Sequence, residues 1–544
     1  MPSAPLSRLS CPAPWRSVGT GLLAVFSLAF VLGALALDRP PRHDELYHLL
    51  AARGLIATGD PRIGDGVYVR GLEYTYLVAL GFRILGESVP TARLPALLAG
   101  SLIPVLLFWW LYRNNHHAAA WIAAIGYATS PFFLQISPFA RFYTLQILAF
   151  LAGTILMEKA VRTSSWVAAR RGGLASIFLA LATKLQPVTL FGIGGLGAWL
   201  LFWRLPDLWR RNRGWRWGVA IGAVSLALAL WFFSDLFASL WIRYRTAEGF
   251  HARFRDAVWF YHVWYQIYYP GLWSLTPVLT LFALLRSPKM GSLSVFIFLT
   301  SFLLASFAAA KGNRYLAFAQ PFLFTLWGLG AAEMMARLRP LYAHLPSRLA
   351  VGSLFLPTRL LLALGLGAFL LLQPFWVRTG AFLADITLPF EVPDARWELA
   401  RPALRPWAER VDVVVGPHDV YNFYYLGRHD VTFEPSKYHE MRDQPRGPWR
   451  WDPRTGRPLV ADAKVLARLI RCHRSGLFVV AAGYRGQEAV FPRAAERVLE
   501  EFARPLPLPV KSGLLAYAWE HTSPIEKEDC RELSLSPARE EKVR

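Results

Sequence analysis

Long apolar runs alternate with short polar stretches over about the first 375 residues. A helix crosses a bilayer core with ~20 consecutive apolar residues. On that measure the pattern predicts spans at 18–37, 92–112 and 118–136, with a fourth ending before Lys159. A tight pair follows at 174–186 and 187–203, meeting at Ala182-Thr183-Lys184-Leu185-Gln186-Pro187, where the proline stops the first helix. Further spans are predicted at 217–237, before Arg286, and at 292–310, 316–335 and 358–376, about eleven in all. The polar loop 38–90 carries turn signals at Gly59-Asp60-Pro61 and Gly64-Asp65-Gly66. Within it Leu46, Leu49, Leu50 and Ile56 recur at helical spacing. They predict an amphipathic helix lying on the membrane surface, with Asp44 and His48 on one face and Glu45 turned about 100° away.

From 378 the pattern changes. Short β-like runs, Val411 to Val415, Leu477 to Val480 and Leu514 to Ala518, are separated by helical stretches from Ala461 to Cys472 and from Phe491 to Phe502. The expected fold is therefore a polytopic α-helical membrane protein with a C-terminal soluble α/β domain. Residues 1–377 form the membrane-embedded part, and 378–544 form an extracytoplasmic domain.

Charge refines this picture. Of 544 residues, 54% are hydrophobic, and the formal net charge is +22. Such a charge invites a nucleic-acid reading, but the basic residues cluster between apolar runs, as the positive-inside bias requires. The loops holding Arg170 and Arg171, Arg210 and Arg211, and Arg337 and Arg339 then face the cytoplasm. With the N-terminus also cytoplasmic, the loop 38–90, Arg141, Lys184, Lys311 and Arg314 lie on the opposite side. Ala34-Leu35-Ala36 has the look of a small-residue cleavage site, yet the preceding run exceeds a signal-peptide core, so an uncleaved span is expected. Three cysteines, Cys11, Cys472 and Cys530, cannot form a disulfide framework, although the last two can pair in an oxidising compartment. No Cys/His cluster has zinc spacing.

The chemistry concentrates at Arg42-His43-Asp44-Glu45-Leu46-Tyr47-His48, just after the first span. A carboxylate beside hydrocarbon and among basic residues can take a proton from an attacking hydroxyl or amine. The same acid also suits a solvated helix N-terminus. Lys311 and Arg314, beside Tyr315, can hold a phosphate through charge-assisted hydrogen bonds or snorkel to lipid headgroups. Arg141, Lys184 and Arg70 carry the same two readings. The aromatic stretch Trp259-Phe260-Tyr261-His262-Val263-Trp264-Tyr265 suits an interfacial belt.

Taken in order, these segments resemble the GT-C class of polytopic glycosyltransferases. The similar branch is that of protein O-mannosyltransferases and lipid A aminoarabinose transferases, the family 39-like enzymes. The resemblance rests on Asp44-Glu45-Leu46-Tyr47, Gly59-Asp60, Tyr68-Val69-Arg70, Ala92-Arg93-Leu94-Pro95, the segment from Ser137 to Tyr143, Thr183-Lys184, and Lys311 to Tyr315. It covers about 1–375. One departure is that the family's Lys-Pro-Pro is here Arg70-Gly71-Leu72. The resemblance implies a polyprenyl-phosphate-linked sugar as donor, a lipid, glycan or protein acceptor, and a site in the inner membrane. It implies Asp44 as general base and Glu45 as an orienting acid. Arg70, Arg141, Lys184, Lys311 and Arg314 would hold the leaving phosphate, with His48, Tyr143 and Tyr315 in contact with substrate. A flippase for a lipid-linked sugar is the alternative.

Overall fold

In the computed structural model we describe residues 15–163, 166–204, 242, 244–245, 254–343, 348–351, 354–357, 374–386, 395–441, 444, 449–521 and 530. The expected spans 217–237 and most of 358–376, together with Cys11, lie outside these residues.

Helix α1 (Trp15–Ala34) leads to α2 (His43–Thr58), a hairpin of β1 (Arg62–Ile63) and β2 (Gly66–Val67), and α3 (Leu72–Leu85). A bundle follows: α4 (Val89–Arg113), α5 (His117–Ala128), α6 (Pro131–Ile136), α7 (Tyr143–Ala160), α8 (Trp166–Leu185) and α9 (Thr189–Trp199). It continues with α10 (Phe260–Tyr268), α11 (Pro270–Arg286), α12 (Pro288–Phe307), a 3₁₀ turn (Asn313–Ala319) and α13 (Gln320–Ala343). Helix α4 is central, packing against α1, α3, α5 and α7.

Among the described residues, three helical segments are long and apolar enough to cross a membrane singly: Val89–Arg113, Pro288–Phe307 and Asn313–Leu338. The pair α10 and α11 would make a fourth, but it bends by 108° where Pro270 opens a new helix. The expected span 118–136 is likewise broken. Ser130 caps a separate helix by accepting from the Phe133 N–H at 3.1 Å, and Pro131 stands at its first position. The protein is thus a helical membrane protein whose bundle mixes full and interrupted helices.

Two features of the loop 38–90 depart from expectation. Helix α2 is no surface helix, because Glu45 to Ala52 are all buried. Bulky side chains point from it in every direction, so it is wedged inside the protein rather than laid on lipid. The loop also holds a second helix, α3. It starts at Gly71, whose φ of 63° lies in the left-handed region. Proline, fixed near −65°, cannot adopt that angle, so the departure from Lys-Pro-Pro matches the backbone found here.

After β3 (Arg348–Val351), β4 (Leu354–Pro357) and α14 (Pro374–Leu383), the chain builds a mixed seven-stranded sheet. Its helices and strands are α15 (Trp397–Arg410), β5 (Val413–Gly416), β6 (Val431–Phe433), α16 (Pro435–Glu440), β7 (Arg450–Asp452), β8 (Arg457–Val460), α17 (Ala463–Cys472), β9 (Ser475–Ala481), α18 (Arg493–Phe502), β10 (Arg504–Pro505) and β11 (Leu514–Glu520). The strand order is β10-β11-β9-β5-β6-β8-β7. β5 runs parallel to both neighbours, which buries it on two faces. Val413 and Val415 pack under α17 and α18, and Val414 packs under α15, the period-2 alternation of a strand. Cys472, at the end of α17, is disulfide-bonded to Cys530.

This sheet unit docks on α2. Turns at Asp419–Tyr421 and Asn422–Leu426 lie against it. The β1–β2 hairpin adds main-chain bonds, Asp65 N–H to the Thr455 carbonyl at 3.2 Å and Val67 N–H to the Pro453 carbonyl at 3.0 Å.

Candidate active site

The first turn of α2 is fixed before any substrate is considered. Arg42 has extended backbone at the N-cap, and Glu45, at the third position, accepts its N–H at 2.8 Å. The Glu45 carboxylate also receives Arg93 Nε at 2.8 Å and Nη2 at 2.7 Å, and the Ala140 N–H at 2.7 Å. Glu45 is 1% exposed and Arg93 4%. Arg93 also donates to the carbonyls of Ala36, Leu37, Arg39 and Pro40. The pair therefore ties the end of α1, the start of α2 and the turn before α7 together. Glu45 is fully engaged in this, so it orients the helix rather than a substrate.

Asp44 points the other way. Its carboxylate pairs with Arg314, from the 3₁₀ turn that precedes α13. Its side chain stays 26% exposed. Arg141 donates to the Asp44 main-chain carbonyl at 2.8 Å and to the Tyr68 hydroxyl at 3.0 Å. The Arg141 guanidinium lies 5.2 Å from the Phe142 ring and 5.9 Å from Tyr143, and Arg314 lies 5.6 Å from Tyr143. Arg70 lies 5.7 Å from the Phe142 ring and donates to Gln186 Oε1 at 3.2 Å. Tyr315 has Tyr143, Arg314, Arg70 and Asp44 as electrostatic neighbours. Burial alone would raise the Asp44 pKa. The attraction of Arg141, then Arg314, His43 and Arg70, outweighs it and holds the carboxyl well below its ordinary range. The site is one accessible carboxylate set among three arginines brought from loops far apart in sequence.

Three residues expected here are placed otherwise. His48 is fully buried: Nδ1 bonds Thr75 Oγ1 at 2.9 Å, and the ring packs edge-on against Tyr68, Tyr74 and Phe142. It shares the face of Asp44 by spacing, but that face turns into the protein one turn later. Lys311 donates to the carbonyls of Arg255 at 2.9 Å and Ala308 at 2.6 Å, closing the end of α12. Lys184 pairs with Glu73 at 2.5 Å and is 72% exposed, at the rim beside Gln186 and Arg70. Sequence reasoning gives no role to Tyr68, Gln186 or Glu73, each lying within a few residues of a cation already singled out.

Among the described residues no group of three or more His, Cys, Asp or Glu side chains can hold a metal ion.

No protein-family model matches the chain, and no protein of curated function matches it in sequence. Solved structures do. ArnT from Cupriavidus metallidurans bound to undecaprenyl phosphate superimposes with a TM-score of 0.56 at 16% identity, over 93% of this chain and 98% of that one. The same protein without ligand gives 0.58 at 15% identity, over 92% and 98%. The archaeal oligosaccharyltransferase AglB from Archaeoglobus fulgidus, in complex with an inhibitory peptide and a dolichol-phosphate, gives 0.53 at 12% identity, over 91% and 73%. At such identities what is shared is the fold. The chain shares the fold of these two proteins, over most of its length.

Proposed function

We propose that this protein is a glycosyltransferase. It moves a sugar from a polyprenyl-phosphate donor to a lipid, glycan or protein acceptor at the outer face of the cytoplasmic membrane. The observation that carries this reading is the convergence of Arg70, Arg141 and Arg314 on Asp44. It is supported by a fold shared with proteins solved bound to undecaprenyl phosphate and to a dolichol-phosphate. The Cys472–Cys530 disulfide supports the assignment of side, since the cytosol keeps thiols reduced and the unit that carries it docks on α2. On this reading the sheet unit, within 378–544, is extracytoplasmic, and about eleven spans complete 1–377.

The acceptor hydroxyl or amine attacks the anomeric carbon from the face opposite the phosphate. The carbon–oxygen bond to phosphate breaks, and its electron pair stays on the departing phosphate oxygen. The acceptor proton goes to Asp44. Arg314, Arg141 and Arg70 offset the charge that grows on the leaving group. In the free protein Arg141, and then Arg314, which pairs with Asp44, make that carboxylate a weak base. A donor phosphate drawing Arg314 to itself raises the basicity of Asp44, so the base is activated by donor binding. Lys184, paired with Glu73 at the rim, would add a further cation to the donor's phosphate on releasing that partner.

The test is binding of undecaprenyl phosphate to the purified protein, followed by native mass spectrometry. Arg314→Gln and Arg141→Gln should each weaken it at least tenfold, while Asp44→Asn should not weaken it. Undiminished binding in both arginine variants would overturn the phosphate assignment.

A further inference from the structure

Asp44 is flanked by two anchored neighbours, and they are anchored to different parts of the protein. Glu45 is held by Arg93 of the helical bundle. His43, on the other flank, is held by the sheet unit. Its Nε2 lies 3.6 Å from Asp419 Oδ1 and its ring 5.7 Å from that of Tyr421. Asp419 is fully buried and paired with Lys437. Lys437 reaches Asp452 Oδ2 at 2.7 Å, and Asp452 receives Arg454 Nε at 2.9 Å and Nη2 at 3.1 Å. The Arg454 guanidinium lies 5.4 Å from the ring of Tyr47, and that ring packs edge-on against His43 at 5.4 Å. The series of contacts leaves α2 at His43 and returns to α2 one turn later.

Burying two carboxylates and an ammonium costs several kcal/mol per ion before pairing, and an apolar contact would join two units at least as firmly. What an ionic series adds is direction: it accepts one orientation of its partners. We infer that Asp419 is a positioning residue, which fixes the first turn of α2 through His43 and so sets the place of Asp44 between Arg141 and Arg314. This rests on the reading of Asp44 as the general base. The sheet unit is then part of the catalytic apparatus, because it holds one of the two flanks of the base.

Two variants test it. Asp419→Asn removes the charge that faces His43 while leaving Lys437 its second carboxylate. His43→Gln changes a side chain that is 41% exposed, so folding is spared. With undecaprenyl-phosphate-linked sugars extracted from membranes as substrate, each variant should lower kcat about tenfold with KM for the donor within twofold. The double variant should fall no more than twofold further. Hydrogen–deuterium exchange should rise in the peptide spanning 42–48 and stay unchanged in α4 and α7. Wild-type kcat and wild-type protection at 42–48 in both single variants would overturn the inference, as would full additivity in the double variant. Exchange is read without substrate, so a wild-type protein that transfers nothing would refute the proposed function and leave exchange to decide the positioning.

Discussion

Replacing Arg93 by leucine removes the cation that holds the Glu45 carboxylate and four main-chain carbonyls at once. Glu45 would stay buried with only the Ala140 and Arg42 N–H groups. Breaking a buried pair from one side costs about 3–5 kcal/mol, because the remaining charge is uncompensated. The carbonyls left without that donor add to the cost, which places Arg93→Leu at the upper end of that range or above it. Glu45→Leu should be milder, since Arg93 keeps its carbonyl acceptors. In Glu45→Leu/Arg93→Leu no buried charge is left, so the double variant should be less destabilised than the sum of the singles by about 2 kcal/mol or more. Equilibrium unfolding in mixed micelles, followed by tryptophan fluorescence, measures all three. An Arg93→Leu protein within about 1 kcal/mol of wild type, or a double variant equal to the sum, would refute the reasoning.

Three further outcomes are expected. Cys472 and Cys530 should resist a membrane-impermeant thiol reagent until reduction, and then react from the outer side of intact cells; labelling without reduction would contradict the pairing. The folded Asp44 pKa lies below its unfolded value of ~3.9, so its stabilising contribution is complete above that value and is lost only as pH falls through the folded one. Wild-type kcat/KM should therefore show no acid limb from Asp44 above pH ~4, whereas Arg314→Gln, which removes one of its attractions, should move a limb upward toward ~4. Gly71→Ala should destabilise by at least ~1–2 kcal/mol in the same unfolding assay, because it puts a side chain at positive φ against the Phe142 ring; a neutral result would contradict the left-handed start of α3.

Much of this site was legible in the chain because charge beside apolar runs is conspicuous. Asp44, Arg141 and Arg314 each stand at the edge of an apolar stretch, and the order of those stretches put them on one side of the membrane. Arg93 stands in one of the segments that carry the resemblance, but its pairing with Glu45 has no signal in the chain, since nothing in local spacing links residues 45 and 93. His48 misled because i and i+4 share a helix face whatever that face meets. Helix α3 went unread because its apolar residues, interrupted by Glu73 and Arg83, fall short of a span and lie among turn signals. Lys311 and Arg314 are close in sequence, but three residues in a tight turn can point apart, and the Lys311 ammonium donates to the main chain. The strands β5, β9 and β11 lie on the three β-like runs, because β-branched and aromatic residues packed under helices leave a strong signal. The series from His43 to Arg454 had no such signal, being assembled from single residues on separate turns.

The most direct measurement is transfer by wild-type and Asp44→Asn protein in liposomes, supplied with undecaprenyl-phosphate-linked sugars extracted from a strain lacking this protein. Wild type should release undecaprenyl phosphate and glycosylate an acceptor from the same membranes. Asp44→Asn should bind undecaprenyl phosphate as wild type does and transfer at least ~100-fold more slowly, the scale of a lost general base. Transfer at the wild-type rate by Asp44→Asn would contradict the placing of catalysis at this carboxylate.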